Sequence, residues 1–417
     1  MLRLPDATWL SADARWLLAG RGVRGFGYGF MGVLLAVYLS AAGLDTAAIG
    51  FLFGISLGGS TVVTLLSGPL SVRFGRRAML IGNALVMAAA ALVFAATNQP
   101  WLLAIAAVTG TVNVSGAERG AFITVEQAAL PQTAPDNRRT DVFAAVSAVG
   151  SIAAAAGALA AGFPALLEHQ FGLSTVDAVR LMLVGYAALA LLSVVTSLKL
   201  SPAIEVEPVI GRATNRLGIS SSGGRIARLS ALGFVDSFGS GFILQSFIAY
   251  WFYTTHGLTF EKLGGLFAAS ALFEAGSFWA AVWLSKRIGL VNTMVFTHIP
   301  ANLLLIALPF MPSVELAVLA HLLRTALSQM DVPTRQSYMM AVVQPEERVS
   351  AAALERMARG AGSTVSPMIA GVVLQAVAAS VPFVLGGSIK AAYDVAMWFA
   401  FRNLKPPEEA ARKAAGS

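Results

Sequence analysis

The stretch "RGFGYGF" at Arg24–Phe30 returns half a chain later as "DSFGSGF" at Asp236–Phe242, in the same x-x-Phe-Gly-x-Gly-Phe frame. Further matches follow in order at nearly the same offset. Tyr38 meets Tyr250, Gly43–Leu44 meets Gly257–Leu258, "RFG" at Arg73–Gly75 meets "RIG" at Arg287–Gly289, and "PDNR" at Pro135–Arg138 meets "PEER" at Pro345–Arg348. A repeat on this scale reads as two halves of like architecture.

The material between the repeats sets the solvent. Of 417 residues, 56% are hydrophobic and only 12% charged, against about 25% charged in a soluble protein. The mean hydropathy is +0.71. Runs such as "AMLIGNALVMAAAALVFAAT" (Ala78–Thr97) and "LMLVGYAALALLSVVTSL" (Leu181–Leu198) reach the roughly 20 residues that cross a bilayer. About twelve such spans can be drawn, the fourth near 101–124, the fifth near 140–165, the seventh near 229–253 and the tenth near 313–336. The expected fold is an all-α membrane protein of 12 transmembrane helices in two pseudo-symmetric six-helix bundles. Residues 1–200 and 229–417 form the bundles, a cytoplasmic loop at 201–228 joins them, and a short cytoplasmic tail ends the chain.

The formal charge of +7 is a matter of topology. With the N-terminus in the cytoplasm, Arg73, Arg76, Arg77, Arg138, Arg139, Arg212, Arg216, Arg225, Arg228, Lys286, Arg287, Arg348, Arg402 and Lys405 fall on one side, and little beyond Arg180 and Lys262 on the other. That is the positive-inside bias. It places both termini in the cytoplasm of an inner (plasma) membrane protein and argues against a nucleic-acid partner. The start "MLRLPDATWLSADARW" lacks a cleavable-signal pattern, so the first span is expected to be retained. Cysteine is absent and says nothing about redox compartment. "GYGFMG" (Gly27–Gly32) matches a dinucleotide fingerprint only as a string. It lies inside an apolar span rather than after a strand, where small residues serve helix packing. No Gly-x-x-x-x-Gly-Lys-Ser/Thr string, metal-ligand spacing or Ser/His/Asp context occurs. Neither an enzyme nor a cofactor is expected, and His298 and His321 read as isolated packing or hydrogen-bonding residues.

Two parallel halves with a site between them is a transporter plan. Between spans 2 and 3, "GPLSVRFGRR" (Gly68–Arg77) resembles the Gly-x-Leu-Ala-Asp-Arg-x-Gly-Arg-Arg loop of the major facilitator superfamily, and the resemblance covers nearly the whole chain. Val72 stands where that family usually has Asp, which removes the helix-end charge pairing ascribed to the loop. The resemblance implies rocking of the two bundles about a midplane site, with spans 1, 4, 7 and 10 lining the cavity and 1 and 7 as symmetry mates. It marks Gly68, Arg73, Gly75, Arg76 and Arg77, with Arg24 and Asp236, as cytoplasmic gate candidates. Two features of proton-driven drug exporters in the family are missing. Asn113 stands where they carry Arg, and span 5 lacks Gly-Pro-x-x-Gly-Gly, the nearest string being "SPMIAG" (Ser366–Gly371) in span 11.

Ionisable side chains within spans cost at least about 2.5–3.5 kcal/mol at the bilayer centre and so mark function by default. Arg24 and Asp236, equivalent in the repeat, are expected to pair when the cytoplasmic side closes; the alternative is that each has a local partner. In span 10, Arg324, Ser328, Asp331 and Arg335 fall on one helical face, Pro333 bends the helix, and Asp331 with Arg335 forms either a cavity pair or an i,i+4 clasp. Span 4 offers Asn113, Glu118, Arg119 and Glu126. Glu274 is read as the deepest carboxylate, a desolvated group able to exchange protons near neutral pH. With Asp236, Glu118 and Glu126 it makes the set of proton-coupling candidates. Substrate-cavity candidates are Arg24, Asn113, Arg119, Tyr38, Tyr250, Arg324, Asp331 and Arg335. Lys390 and Asp394, four residues apart, are expected to neutralise each other. The functional expectation is a monomeric secondary transporter of a small molecule in the lipid bilayer, exporting a hydrophobic or amphiphilic compound in exchange for H+. An organic-anion carrier suited to the cavity arginines or a uniporter is the alternative, and a transporter-like receptor or lipid-handling protein is the reading from another class.

Overall fold

The computed structural model describes residues 10–116, 120–130, 133, 139–205, 222–344 and 347–404. Its elements are α1 (Ala12–Ala41), α2 (Thr46–Phe74), α3 (Arg76–Ala96), α4 (Pro100–Val108), α5 (Ala121–Ala129), α6 (Arg139–Ala160), α7 (Phe163–Phe171) and α8 (Thr175–Leu198). After the undescribed 206–221 come α9 (Gly223–Gly241), α10 (Gln245–His256), α11 (Phe260–Ile288), α12 (Leu290–Ala307), α13 (Val314–Ser328), α14 (Asp331–Val342), α15 (Arg348–Ala376) and α16 (Val381–Phe401). Eight stretches among the described residues are long and apolar enough to cross a membrane. Large apolar side chains lie bare on their outer faces, Trp279 at 82% and Phe171 at 70% exposure among them. So much exposed apolar surface is stable against lipid and not against water.

The expected spans are present, but the fourth, fifth, seventh and tenth are each two helices rather than one. The tenth breaks at Gln329–Met330. Pro333 then falls in the first turn of α14, where its missing N–H costs no helical bond. The stripe expected on one continuous face is therefore divided, with Arg324 and Ser328 on α13 and Asp331 and Arg335 on α14.

The described chain groups into two compact units. One comprises 1–211 with 245–271, the other 212–244 with 272–417, so α10 and the start of α11 group with the first unit although they follow 229 in sequence. Local contacts account for this. Ser246 Oγ donates to Gly32 O (2.9 Å) and Val114 O (3.1 Å), Ser40 Oγ donates to Tyr250 Oη (3.4 Å), and the Phe53 and Phe247 rings meet at 5.1 Å.

The repeated glycine frame does the same work in each unit. In the first, α1 lies on α6; a Cβ at Gly29 would strike the backbone of Ala154 and Ala158, and one at Gly157 the backbone of Phe26. In the second, α9 lies on α15 and α16, and a Cβ at Gly241 would strike Ser366. Helices can approach this closely only where side chains are missing.

Gly75 turns α2 into α3 with φ +88°, a conformation that favours glycine. Beside it the Glu205 carboxylate accepts from the backbone N–H groups of Arg76 (2.6 Å) and Arg77 (3.0 Å). Two first-turn donors of α3 are thereby satisfied and its positive end is faced by a carboxylate. Arg76 Nη1 donates to Ile204 O and Arg77 Nη2 to Leu198 O. The negative charge that an Asp at position 72 would bring to the helix end is thus supplied from after α8, while Val72 itself is exposed. Glu205→Ala is expected to destabilise purified protein by about 1 kcal/mol, the typical worth of such a cap, read as a lower melting temperature in detergent; an unchanged melting temperature refutes the cap.

Candidate functional site

In the first unit the site begins where span 4 unwinds. Gly110, Gly116 and Gly120 take φ of +67°, +69° and +89°, and Asn113 Oδ1 accepts from the backbone N–H of Ser115 and of Gly116, both at 2.8 Å. Three left-handed glycines and an Asn turn between α4 and α5 replace the helical ladder with local bonds. Ser56 Oγ donates to Val112 O (2.9 Å) and Tyr186 Oη to Thr111 O (2.9 Å), so neighbouring helices satisfy the freed carbonyls. Unwound backbone at membrane depth is tolerated where it is buried in protein or lines a polar cavity, and here a small recess lies against it. Ser56, Ser60, Thr111, Asn113 and Ser115 line that recess, and Tyr28 and Ser60 continue into an adjoining one with Thr109 and Asn83. Among the described residues the lining carries no charged side chain. Asn83 Nδ2 is buried there without a hydrogen-bond partner among the described residues.

On the same unit Arg24, 1% exposed, forms an ion pair with Glu126 on α5, donates to Ser193 Oγ (2.9 Å), and stacks its guanidinium 4.3 Å from the Phe122 ring centre. Tyr38 is buried and donates to Phe94 O at 2.6 Å; its hydroxyl braces α1 against α3.

In the second unit a charged cluster centres on Asp236 of α9, 2% exposed. Lys390 Nζ of α16 lies 2.5 Å from Asp236 Oδ1 and 2.8 Å from Ser240 Oγ; Arg359 Nη1 of α15 lies 2.9 Å from Asp236 Oδ2. Glu355 joins Arg359 Nε (3.7 Å) to Arg335 Nη1 (2.6 Å), and Arg335 Nε reaches Asp331 at 3.5 Å. One helical turn beyond Lys390, Asp394 receives His298 Nδ1 at 2.7 Å and Asn302 Nδ2 at 2.8 Å.

Several expectations change on this geometry. Arg24 and Asp236 each have a partner inside their own unit. Lys390 pairs with Asp236 rather than with Asp394. His298 is not isolated but bonded to Asp394. Glu274 is only half-buried, whereas Glu126, Asp236 and Asp394 are at most 2% exposed. The Asp331–Arg335 clasp is present. Glu118 and Arg119 lie outside the described residues. Sequence reasoning missed Ser60, Thr111, Asn83, Arg359 and Asn302. The cluster of Gly, Asn, Ser and Thr at 109–120 was the available signal for the break, being turn chemistry inside an apolar span.

Known proteins resemble this chain in sequence and share its fold. The sequence profile of the Major Facilitator Superfamily matches residues 17–328. A membrane protein of Saccharomyces cerevisiae is 24% identical over 92% of this chain and 93% of its own length. A Na(+), Li(+), K(+)/H(+) antiporter of Planococcus maritimus is 31% identical over 36% of this chain and 35% of its own. Among solved structures, the nucleoside transporter NupG superposes with a TM-score of 0.71 at 16% identity, covering 94% of this chain and 98% of that one. The inward-open xylose transporter XylE from E. coli gives 0.69 at 15% identity, covering 92% and 96%. With a profile match over most of its length and a fold shared with these carriers, the chain belongs to the Major Facilitator Superfamily and is a multi-pass membrane transporter, not an enzyme.

Proposed function

We propose that this transporter moves a small, uncharged, hydrogen-bonding solute, coupled to protons, with the unwound segment of span 4 as part of its binding surface. The observation that carries the reading is the recess itself: hydroxyls, an amide and exposed backbone at mid-span, with no charge among the described residues that line it. A hydrophobic or amphiphilic cargo finds less support, because it would leave the polar groups of such a lining unpaired. Proton coupling is supported by carboxylates held at membrane depth and by the antiporter function of the Planococcus maritimus relative. The solved relatives named for nucleosides and xylose fit the same solute class. The protein acts as a monomer in the plasma membrane with both termini cytoplasmic, a reading supported by its basic loops. Two bundles, residues 1–200 and 229–417, rock about the site.

The test is a thermal-shift screen of purified protein against nucleosides, neutral sugars, hydrophobic cations and organic anions. A ligand at about a hundred times its dissociation constant stabilises by roughly 2.7 kcal/mol. Stabilisation by a nucleoside or sugar is expected, with uptake of that compound into liposomes following an imposed pH gradient. Stabilisation by hydrophobic cations alone overturns the solute class, and indifference to the gradient overturns the coupling.

An organic anion is the second reading, favoured by Arg324. Arg24 and Arg335 are occupied by carboxylates, but Arg324 has no ion pair among the described residues and its Nε has no hydrogen-bond partner there. Stabilisation by anions that disappears in Arg324→Gln would decide for it.

A further inference from the structure

We propose that His298 and Asp394 hold one exchangeable proton, and that Lys390 relays its presence to α9 by choosing between Asp236 and Asp394. The proposal deepens the coupling reading and rests on it for its use in transport; the site itself stands on the geometry of the second unit.

The ion-paired network is unbalanced as a set of permanent charges. Asp236, Asp331, Glu355 and Asp394 are four carboxylates, and Lys390, Arg359 and Arg335 are three fixed cations. Burying an uncompensated charge is costly enough that a group in such a place takes up a proton instead. One proton balances the set, and the cluster holds one imidazole to carry it: His298, 2% exposed, with Nδ1 2.7 Å from Asp394 Oδ1. Histidine is the side-chain type suited to exchanging a proton under physiological conditions. Asn302 holds the other carboxylate oxygen from the same face of α12, at 2.8 Å. Asp394 therefore accepts two bonds and is fixed in place, while the proton shared with His298 is the variable.

The elements packed on α12 are α13, α14 and α16. From α16 come Lys390, Asp394 and Tyr393, whose ring stands edge-on to His298 at 6.2 Å. Helix α13 carries His321 and Arg324, and α14 carries Asp331 and Arg335. Where α14 shares a core with α12, the contact is apolar, through Tyr338, Met339 and Val342 with Val291, Met294 and Val295. Of the fixed cations, Lys390 alone sits on the helix of Asp394, one turn away, where i and i+4 side chains are neighbours.

With the proton on, His298 neutralises Asp394 and Lys390 rests on Asp236 and Ser240, the arrangement observed. With the proton off, Asp394 becomes the unpaired anion and draws Lys390 one turn along α16. Asp236 then keeps Arg359 alone, and Ser240 loses its donor. Because Asp236 and Ser240 lie on α9, gain or loss of one proton at α12–α16 changes how α9 is held. No permanent charge crosses the unit; one flexible cation changes partner.

The experiment counts protons. Purified protein in weakly buffered detergent is titrated from about pH 8 to about pH 5, the window in which histidine changes charge, and compared with His298→Gln and Asp394→Asn. Each variant is expected to take up about one proton fewer per chain than the parent. Curves that superimpose on the parent overturn the proposal. Should either variant fail to fold, histidine-selective 15N NMR of the parent replaces it, with the other three histidines assigned through His169→Gln, His256→Gln and His321→Gln. A His298 ring that changes state across the range supports the site, and one that stays neutral throughout overturns it. The relay is read separately. The chain has no cysteine, so Ser240→Cys reports on its own. A neighbouring ammonium favours the thiolate, so its alkylation rate at fixed pH is expected to fall at least severalfold in His298→Gln, where Lys390 leaves, and not in Asp394→Asn. Equal rates in both overturn the relay. Transport that ignores a pH gradient while His298 titrates refutes the coupling reading and leaves the site; gradient-driven transport with a silent His298 does the reverse.

Discussion

Lys390→Met is expected to be among the most destabilising single changes in the second unit, at about 3 kcal/mol, and Asp236→Asn/Lys390→Met is expected to recover most of that stability. Lys390 Nζ and Asp236 Oδ1 lie 2.5 Å apart with both residues at most 5% exposed. Removing one partner of a buried pair leaves the other charge uncompensated, at a typical cost of about 3–5 kcal/mol, whereas removing both is often nearly neutral. Arg359 remains beside Asp236, which puts the estimate at the lower end. The two single changes should also differ. Asp236→Asn leaves Lys390 within reach of Asp394 one turn away, so a second anion takes up the cation. Lys390→Met leaves two buried carboxylates with one nearby cation fewer. Melting temperatures in detergent should therefore rank parent, double variant, Asp236→Asn and Lys390→Met in descending order. A Lys390→Met protein as stable as the parent would show that the amine does not hold Asp236.

How much of this was legible beforehand follows from the range of each signal. The spans and the two-fold repeat are local properties of length and composition, and the glycines of "RGFGYGF" and "DSFGSGF" mark close packing in both units as their shared frame suggested. The break in span 4 was obscured because the turn residues of "TGTVNVSG" (Thr109–Gly116) sit between apolar runs that together have the length of one span. Its turn residues act only because Ser56 and Tyr186 on other helices accommodate the freed carbonyls. Charge partners were hardest to read, since they depend on the rotation of each helix about its axis. Lys390 and Asp394 are four apart and on one face, yet a carboxylate on α9 wins the amine. The departure at Val72 shows the same limit. The sequence shows a missing acid in the loop, and only the fold brings Glu205 back to fill its place.

Glu126→Gln is expected to cost the first unit about 3–5 kcal/mol, the range for a buried pair broken on one side, because it takes the paired carboxylate away from an Arg24 that is 1% exposed. Ser193 Oγ and the Phe122 face remain, but a hydroxyl and a ring compensate a buried guanidinium less than a carboxylate does. Charge exchange distinguishes the observed partners from the pair suggested by the repeat. In Arg24→Glu/Glu126→Arg the same two charges occupy the same pocket reversed, and part of the stability should return. In Arg24→Asp/Asp236→Arg nothing should return. The carboxylate introduced in α1 would stand against Glu126, two anions in a site built for one of each sign. The guanidinium introduced in α9 would stand against Lys390 and Arg359 with no carboxylate between them. Like charges buried together oppose folding in both units at once. If the second exchange were as stable and as active in transport as the parent while the first was not, Arg24 and Asp236 would be partners after all, and the two intra-unit pairs would be secondary to them.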